Sequence, residues 1–164
     1  MTDVKVGPNP LFLRDEELIQ GTELLFYAYR DFTGDPDAVL AEYGFGRAHH
    51  RVVHFVSRNP GMSVAELLEI LRITKQSLSR VLGQLVERGF IVQKKGTRDR
   101  RQRLLYLTET GTDLAASLAE PQKRRVARAY REAGAEAVEG YRKVLMGLIG
   151  DGSREAIVRS FRRR

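Results

Sequence analysis

The spacing of apolar positions predicts a chain built mainly of helices, interrupted once by a short hairpin. From Asp15 the series Leu18, Leu24, Leu25, Ala28 and Phe32 suits a helix that opens with acidic residues, as its dipole prefers, and Gly34, Asp35 and Pro36 stop it. A second helical stretch, broken near Gly44 and Gly46, carries Ala48, Val52, Phe55 and Val56 on one face and ends at Asn59, Pro60 and Gly61. Ser63 and Glu66 form a capping box, with Met62 and Leu67 as its staple, and open a helix to about Leu71 that buries Leu67, Leu68 and Leu71. Thr74 caps the next helix, on which Leu78, Val81, Leu82, Leu85 and Val86 recur at helical spacing. Gly89 supplies its left-handed stop, with Phe90 packing back.

Arg72 and Ile73 are all that separates these two helices, so short a linker that they must cross steeply, as in a helix-turn-helix. Strands are expected from Phe90 to Lys94 and from Arg103 to Leu107 around a tip rich in Gly, Thr, Arg and Asp. Beyond Thr108 the pattern is helical again, from Glu109 to about Ala133 with a kink at Pro121, then from Ala135 to Ile149. A last segment from Ser153 sets Ile157, Val158 and Phe161 on one side and finishes in three arginines. The fold class that results is mainly α with a small β-wing: a winged helix-turn-helix flanked by N- and C-terminal helices. Its parts are a flexible lead over residues 1–10, an N-terminal helical segment over 11–44, the winged unit over 45–107 and C-terminal helices with a basic tail over 108–164.

Charge adds a partner to this picture. The chain carries 28 Lys plus Arg against 21 Asp plus Glu, a net charge of +7, which favours a polyanion because phosphates attract cations and release counterions on binding. With its apolar stripe turned to the core, the second helix of the pair leaves Lys75, Gln76, Ser77, Ser79, Arg80 and Gln84 outside, with no acid until Glu87. Arg pairs bidentately with guanine and Gln with adenine, while Ser and Lys suit phosphate contacts. The hairpin sets Lys94, Lys95, Arg98, Arg100, Arg101 and Arg103 against the single acid Asp99, and such a cluster repels itself unless an anion neutralises it. A wing beside a reading helix lays arginines into the adjacent minor groove.

Other chemistries find little support. No cysteine is present, which excludes disulfides, thiolate zinc sites and cysteine redox switches. His50 and His54 have the i, i+4 spacing of a zinc pair, with His49 beside them, but no acid lies between and no further His or Cys completes a site. A structural or interface role is expected for them, with no metal and no cofactor. No nucleophile motif appears, so no catalytic residues are expected. With no apolar run near the roughly 20 residues of a membrane span and no leader pattern, the expectation is a cytoplasmic protein with no membrane partner.

The run LLEILRITKQSLSRVLGQLVERGFIVQKKGTRDRRQRLLYLTETG resembles the MarR family of winged-helix transcriptional regulators, including the Asp99-Arg100-Arg101 wing motif and the LT-x-x-G that opens the next helix. The likeness is strong from about Ala48 to Leu118, and HHRVVHFVSRNPGMSVAELLEILRITKQSL looks like the family's PetP-type subgroup. It implies that Arg101 projects from the wing into DNA while Asp99 helps hold the wing, with Lys95, Arg98 and Arg100 beside them. Gln102 departs from the small or acidic residue usual after that arginine. The resemblance also implies a homodimer whose N- and C-terminal helices interlock, and Leu11, Phe12, Leu13, Phe26, Tyr27, Tyr141, Leu145, Met146 and Leu148 independently exceed what a small winged domain can cover. For many relatives it implies a small aromatic or anionic effector between dimer helices and winged domain, here near Tyr29, His50, Arg51 and His54. Ordinary interface packing is the other reading of those four.

The function expected is a dimeric, sequence-specific regulator of transcription that binds a near-palindromic duplex site as a repressor and is relieved by an effector. The alternative is a non-specific architectural or RNA-associated winged protein using the same basic surface.

Overall fold

A computed structural model describes residues 10–164, so the flexible lead expected over residues 1–10 lies, apart from Pro10, outside the described residues. A 3₁₀ turn, Leu11–Leu13, precedes helices α1 (Asp15–Gly34), α2 (Asp37–Glu42) and α3 (Arg47–Arg58). Then follow β1 (Met62–Ser63), α4 (Val64–Leu71), α5 (Lys75–Glu87), β2 (Ile91–Lys95), β3 (Arg103–Leu107), α6 (Glu109–Ala133), α7 (Ala135–Leu148) and α8 (Asp151–Arg162). The fold is mainly helical with a small antiparallel sheet. The chain divides into two compact units, one up to Gln122 and one from Lys123, and Pro121 lies inside α6 just before that boundary without ending the helix.

The first unit holds the core. α3 buries Val52, Val53 and Val56, α4 buries Leu67 and Leu71, and α5 buries Leu78, Val81, Leu82 and Leu85. Ile91 and Leu105 close the cluster from the sheet, and Leu114 and Leu118 from α6. Burying each such side chain stabilises the fold by about 1.5–3 kcal/mol.

Both expected caps form. The Ser63 hydroxyl accepts from the Glu66 amide at 3.1 Å and the Glu66 carboxylate accepts from the Ser63 amide at 2.8 Å. Thr74 accepts from the Ser77 amide at 3.1 Å. Between them Arg72 takes the left-handed conformation, φ 50°, which turns the chain within two residues.

The sheet has one strand more than the sequence pattern predicts. Its order is β1-β3-β2, with Met62 opposite Leu105 and Ser63 opposite Leu104, while Ile91 to Lys95 pair with Leu107 to Arg103. Two residues are too few to show an alternation, and Met62 and Ser63 also serve the start of α4. Strand β2 begins at Ile91 rather than Phe90, because the Phe90 amide turns back to the Leu85 carbonyl at 2.9 Å after Gly89, φ 79°. α8 begins two residues earlier than the expected Ser153, an ordinary uncertainty of helix ends.

The Thr108-x-x-Gly111 motif joins α5, the wing and α6 at one point. The Thr108 amide donates to the Phe90 carbonyl at 3.0 Å, and its hydroxyl donates to the Gly89 carbonyl at 2.6 Å while accepting from the Gly111 amide at 3.0 Å. Gly111 is buried, and a Cβ there would overlap the Phe90 carbonyl oxygen.

In the second unit no residue of α7 or α8 is fully buried. Arg154 of α8 donates to the carbonyls of Met146, Gly147 and Ile149 and pairs with Asp151 at 2.6 Å, so it satisfies the end of α7. Tyr141 meets Tyr130 edge-on at 6.0 Å, and partial burial raises its phenol above the ordinary value.

Because the obstacle at Gly111 is backbone, Gly111→Ala should destabilise the chain by about 1–3 kcal/mol in urea denaturation. An unchanged midpoint would mean that α6 does not pass this close to Phe90.

Candidate nucleic-acid interface

Helix α5 can present a continuous polar stripe because its opposite face is consumed by the core. Lys75, Gln76, Ser79, Arg80 and Gln84 are all exposed, whereas Ser77 is half-buried. The Ser77 amide donates to Thr74, and its hydroxyl oxygen accepts from the Thr74 hydroxyl at 2.9 Å, so this serine is engaged in the cap. Gln84 is also engaged: its Oε1 lies 2.6 Å from Nε2 of His49 on α3.

The wing tip is held by backbone hydrogen bonds. Asp99 Oδ1 accepts from the Arg101 amide at 2.9 Å and the Asp99 carbonyl from the Gln102 amide at 3.1 Å, while the Gln102 carbonyl accepts from the Gly96 amide at 3.0 Å. Gln102, the departure from the family pattern, is thus compatible with a closed tip, since its backbone makes both bonds. Gly96 is needed there, for a Cβ would overlap the Asp99 carbonyl oxygen. Lys94 lies over the Tyr106 ring at 4.9 Å, and it is exposed together with Lys95, Arg98, Arg100, Arg101 and Arg103.

Among the start of α4, α5 and the wing runs an open trough of about 650 Å³. Val64 and Leu68 of α4, Lys75, Leu78, Ser79 and Leu82 of α5, and Asp99, Arg101 and Arg103 of the wing line it. Among the described residues, Lys75, Arg80, Arg98, Arg100, Arg101 and Arg103 form no ion pair with an acid of the chain. Cations left without acidic partners beside a concave surface make a phosphate-binding face.

None of Tyr29, His50, Arg51 and His54 lines this trough. Tyr29 is exposed on α1; His50, Arg51 and His54 follow one another along α3, with His54 edge-on to Phe55 at 5.0 Å. Burial, and then the charge of His54, lower the His50 pKa below the ordinary imidazole value, with Asp37 opposing. Among the described residues no group of three His, Cys, Asp or Glu could hold a metal. No helix among them is long and apolar enough to cross a membrane.

Two contributors escape sequence reading. His49 faces the core by periodicity and gives no sign of touching α5, thirty-five positions away. Gly96 reads as one more loop glycine, since only the closed tip brings Asp99 against it.

The sequence profile of the MarR family matches residues 43–102, which run from the end of α2 to the wing tip. The HTH-type transcriptional regulator PetP of Rhodobacter capsulatus is 48% identical over 143 residues, spanning 87% of this chain and 86% of that protein. Among solved structures, Streptococcus pneumoniae FabT in complex with DNA superimposes with a TM-score of 0.70 at 17% identity, covering 80% of this chain and 94% of that one. A mutant Escherichia coli MarR complexed with operator DNA gives 0.64 at 18% identity, covering 86% and 99%. At such identities these two likenesses concern the fold, whereas the relation to PetP extends over nearly the whole sequence. The chain belongs to the MarR family of winged-helix transcription regulators, which are DNA-binding proteins and not enzymes.

Proposed function

We propose that the chain acts as a homodimer that binds a near-palindromic duplex site, reads bases with α5, anchors the flanking groove with the wing, and represses transcription by occupying promoter DNA. The cationic trough among α4, α5 and the wing, whose single lining acid, Asp99, is engaged by the Arg101 amide, carries this reading. Its shape suits a sugar-phosphate strand lying between a helix in the major groove and a hairpin beside it. Gln76 and Arg80, one helical turn apart on the exposed stripe, are the base readers; Lys75, Ser79 and Arg101 are strand and groove contacts.

Dimerisation is argued from α1. Its twenty residues include none that is buried, although Leu18, Ile19, Leu25, Phe26, Tyr29 and Phe32 form a broad apolar face, with Leu24 and Tyr27 beyond it. A broad apolar helix face left uncovered needs a partner, and a second copy supplies one. Two recognition helices related by a two-fold axis would read half-sites about one helical turn, ~10 bp, apart or a little more.

Relief of repression is assigned to an aromatic or anionic effector near Tyr29, His50, Arg51 and His54. With its pKa lowered, His50 is neutral at pH 7, so Arg51 supplies the cation. Such a ligand would act by changing the spacing of the two recognition helices.

In DNA-binding titrations Arg101→Ala should weaken all duplexes alike and reduce the salt slope by about one unit, whereas Gln76→Ala or Arg80→Ala should cost about 1–3 kcal/mol at particular base pairs. Wild-type affinity indifferent to duplex sequence at moderate salt would favour the architectural alternative, and a rise in run-off transcription on binding would replace repression with activation. Light scattering should give twice the chain's mass, and Leu24→Glu combined with Phe26→Glu should give monomers with weakened DNA binding; a monomeric wild type refutes the dimer. Aromatic carboxylates should release DNA from the wild type but not from Arg51→Ala, and equal release from both removes Arg51 from the effector site.

A further inference from the structure

His49 sits where its two ring nitrogens settle each other's chemistry. Its Nδ1 lies 3.1 Å from the backbone nitrogen of Gly46, at the start of α3. A backbone amide can only donate, so Nδ1 is the unprotonated nitrogen and the ring proton is on Nε2. The atom 2.6 Å from Nε2 must then accept, which makes it the carbonyl oxygen of Gln84. The orientation of the Gln84 amide, ordinarily ambiguous, follows from a backbone N–H on another helix.

The ring itself cannot easily turn. His49 is only 7% exposed and stacks on Phe45 at 4.5 Å with an interplanar angle of 13°. Phe45 is in turn wedged edge-on against Phe90 at 5.5 Å and covered by the Arg88 guanidinium at 4.5 Å, while Arg88 also donates to the Tyr43 carbonyl. A core-anchored donor therefore grips one end of an exposed side chain on the reading helix. Gln84 lies four residues beyond Arg80 and eight beyond Gln76, on the same stripe, and its amide nitrogen has no hydrogen-bond partner among the described residues.

We infer that His49 is a positioning residue of the DNA interface: it holds the Gln84 carbonyl against α3, so that Gln84 offers DNA only its NH₂ group and selects a base edge that accepts (guanine N7/O6, thymine O4 or the single N7 of adenine) against cytosine, which presents only a donor. Bidentate reading of adenine needs both ends of the amide turned to the base, and here one end is withheld. Holding the side chain in one rotamer also removes the ordering cost that a free glutamine meets on binding. This inference rests on the proposal that α5 lies along base edges, and it replaces the bidentate adenine contact that residue type alone would assign with selection against a donor-only edge.

The test is a base-by-base affinity profile of the full-length chain on a selected site and its single-base variants. Ratios of affinities do not depend on the fraction of protein correctly folded, so a destabilised variant remains informative. Gln84→Ala should flatten discrimination at one base pair per half-site, by about fivefold, and leave the others intact. His49→Phe keeps the ring stack on Phe45 but loses the donor, and it should erase the discrimination against cytosine at that same pair, because the freed amide oxygen can accept from the cytosine amine. His49→Gln, whose amide can still donate to Gln84, should restore it, and in a Gln84→Ala background His49→Phe should change the profile no further. A flattened pair in Gln84→Ala with a wild-type profile in His49→Phe overturns the positioning role. A uniform loss across all sequences in His49→Phe would reduce His49 to a packing residue. If Gln76→Ala and Arg80→Ala alter the profile and Gln84→Ala does not, this inference fails while base reading by α5 stands.

Discussion

The burial of one face of α5 governs the rest of the molecule. Leu78, Val81, Leu82 and Leu85 are all 3% exposed or less, seated among α3, α4, the sheet and α6. Four such side chains in adjacent turns leave the helix no freedom to roll, since a roll would expose several of them together. The polar stripe is therefore aimed by the core, and its aim survives whatever the exposed residues do. From the same rod spring the wing, through the turn at Gly89 and Phe90, and α6, through Thr108 and Gly111 packed against that turn. A shift of α5 would be transmitted to both.

The wing illustrates a different economy. Its cations repel one another, and nothing apolar at the tip opposes that repulsion. Three backbone-directed hydrogen bonds, two accepted by Asp99 and one closing Gly96 on Gln102, supply the order. Asp99 thus serves geometry more than charge: it is spent on the Arg101 amide, and the guanidinium groups remain available to an external polyanion. The join between α3 and α5 follows the same logic, with His49 fixing the side chain of a residue on the opposite helix.

Much of this was legible because it is local. The capping box at Ser63 and Glu66, the cap at Thr74, the stop at Gly89 and the stripe of Leu78 to Leu85 are encoded within a few neighbouring residues, and each forms as the pattern predicts. Resemblance then supplied the family, which the 48% identity to PetP supports over most of the chain. Strand β1 was not legible, because two residues carry no periodicity and exist as a strand only through Leu104 and Leu105. Ser77 looks outward by spacing yet turns to its own cap, a competition between local hydrogen bonds and solvent that residue type cannot decide.

The sequence by itself determined the order and type of the elements apart from the two-residue strand β1, the excess of arginine at the hairpin, the lack of cysteine chemistry and the family. Those properties are set by near neighbours, by composition or by common ancestry. The tertiary structure alone decided which cations share a trough with α5, which glycines must lack a Cβ, and which end of Gln84 faces away from the protein. These depend on atoms brought together from positions far apart, His49 with Gln84 or Phe90 with Gly111, and no local pattern records a distance that only packing creates.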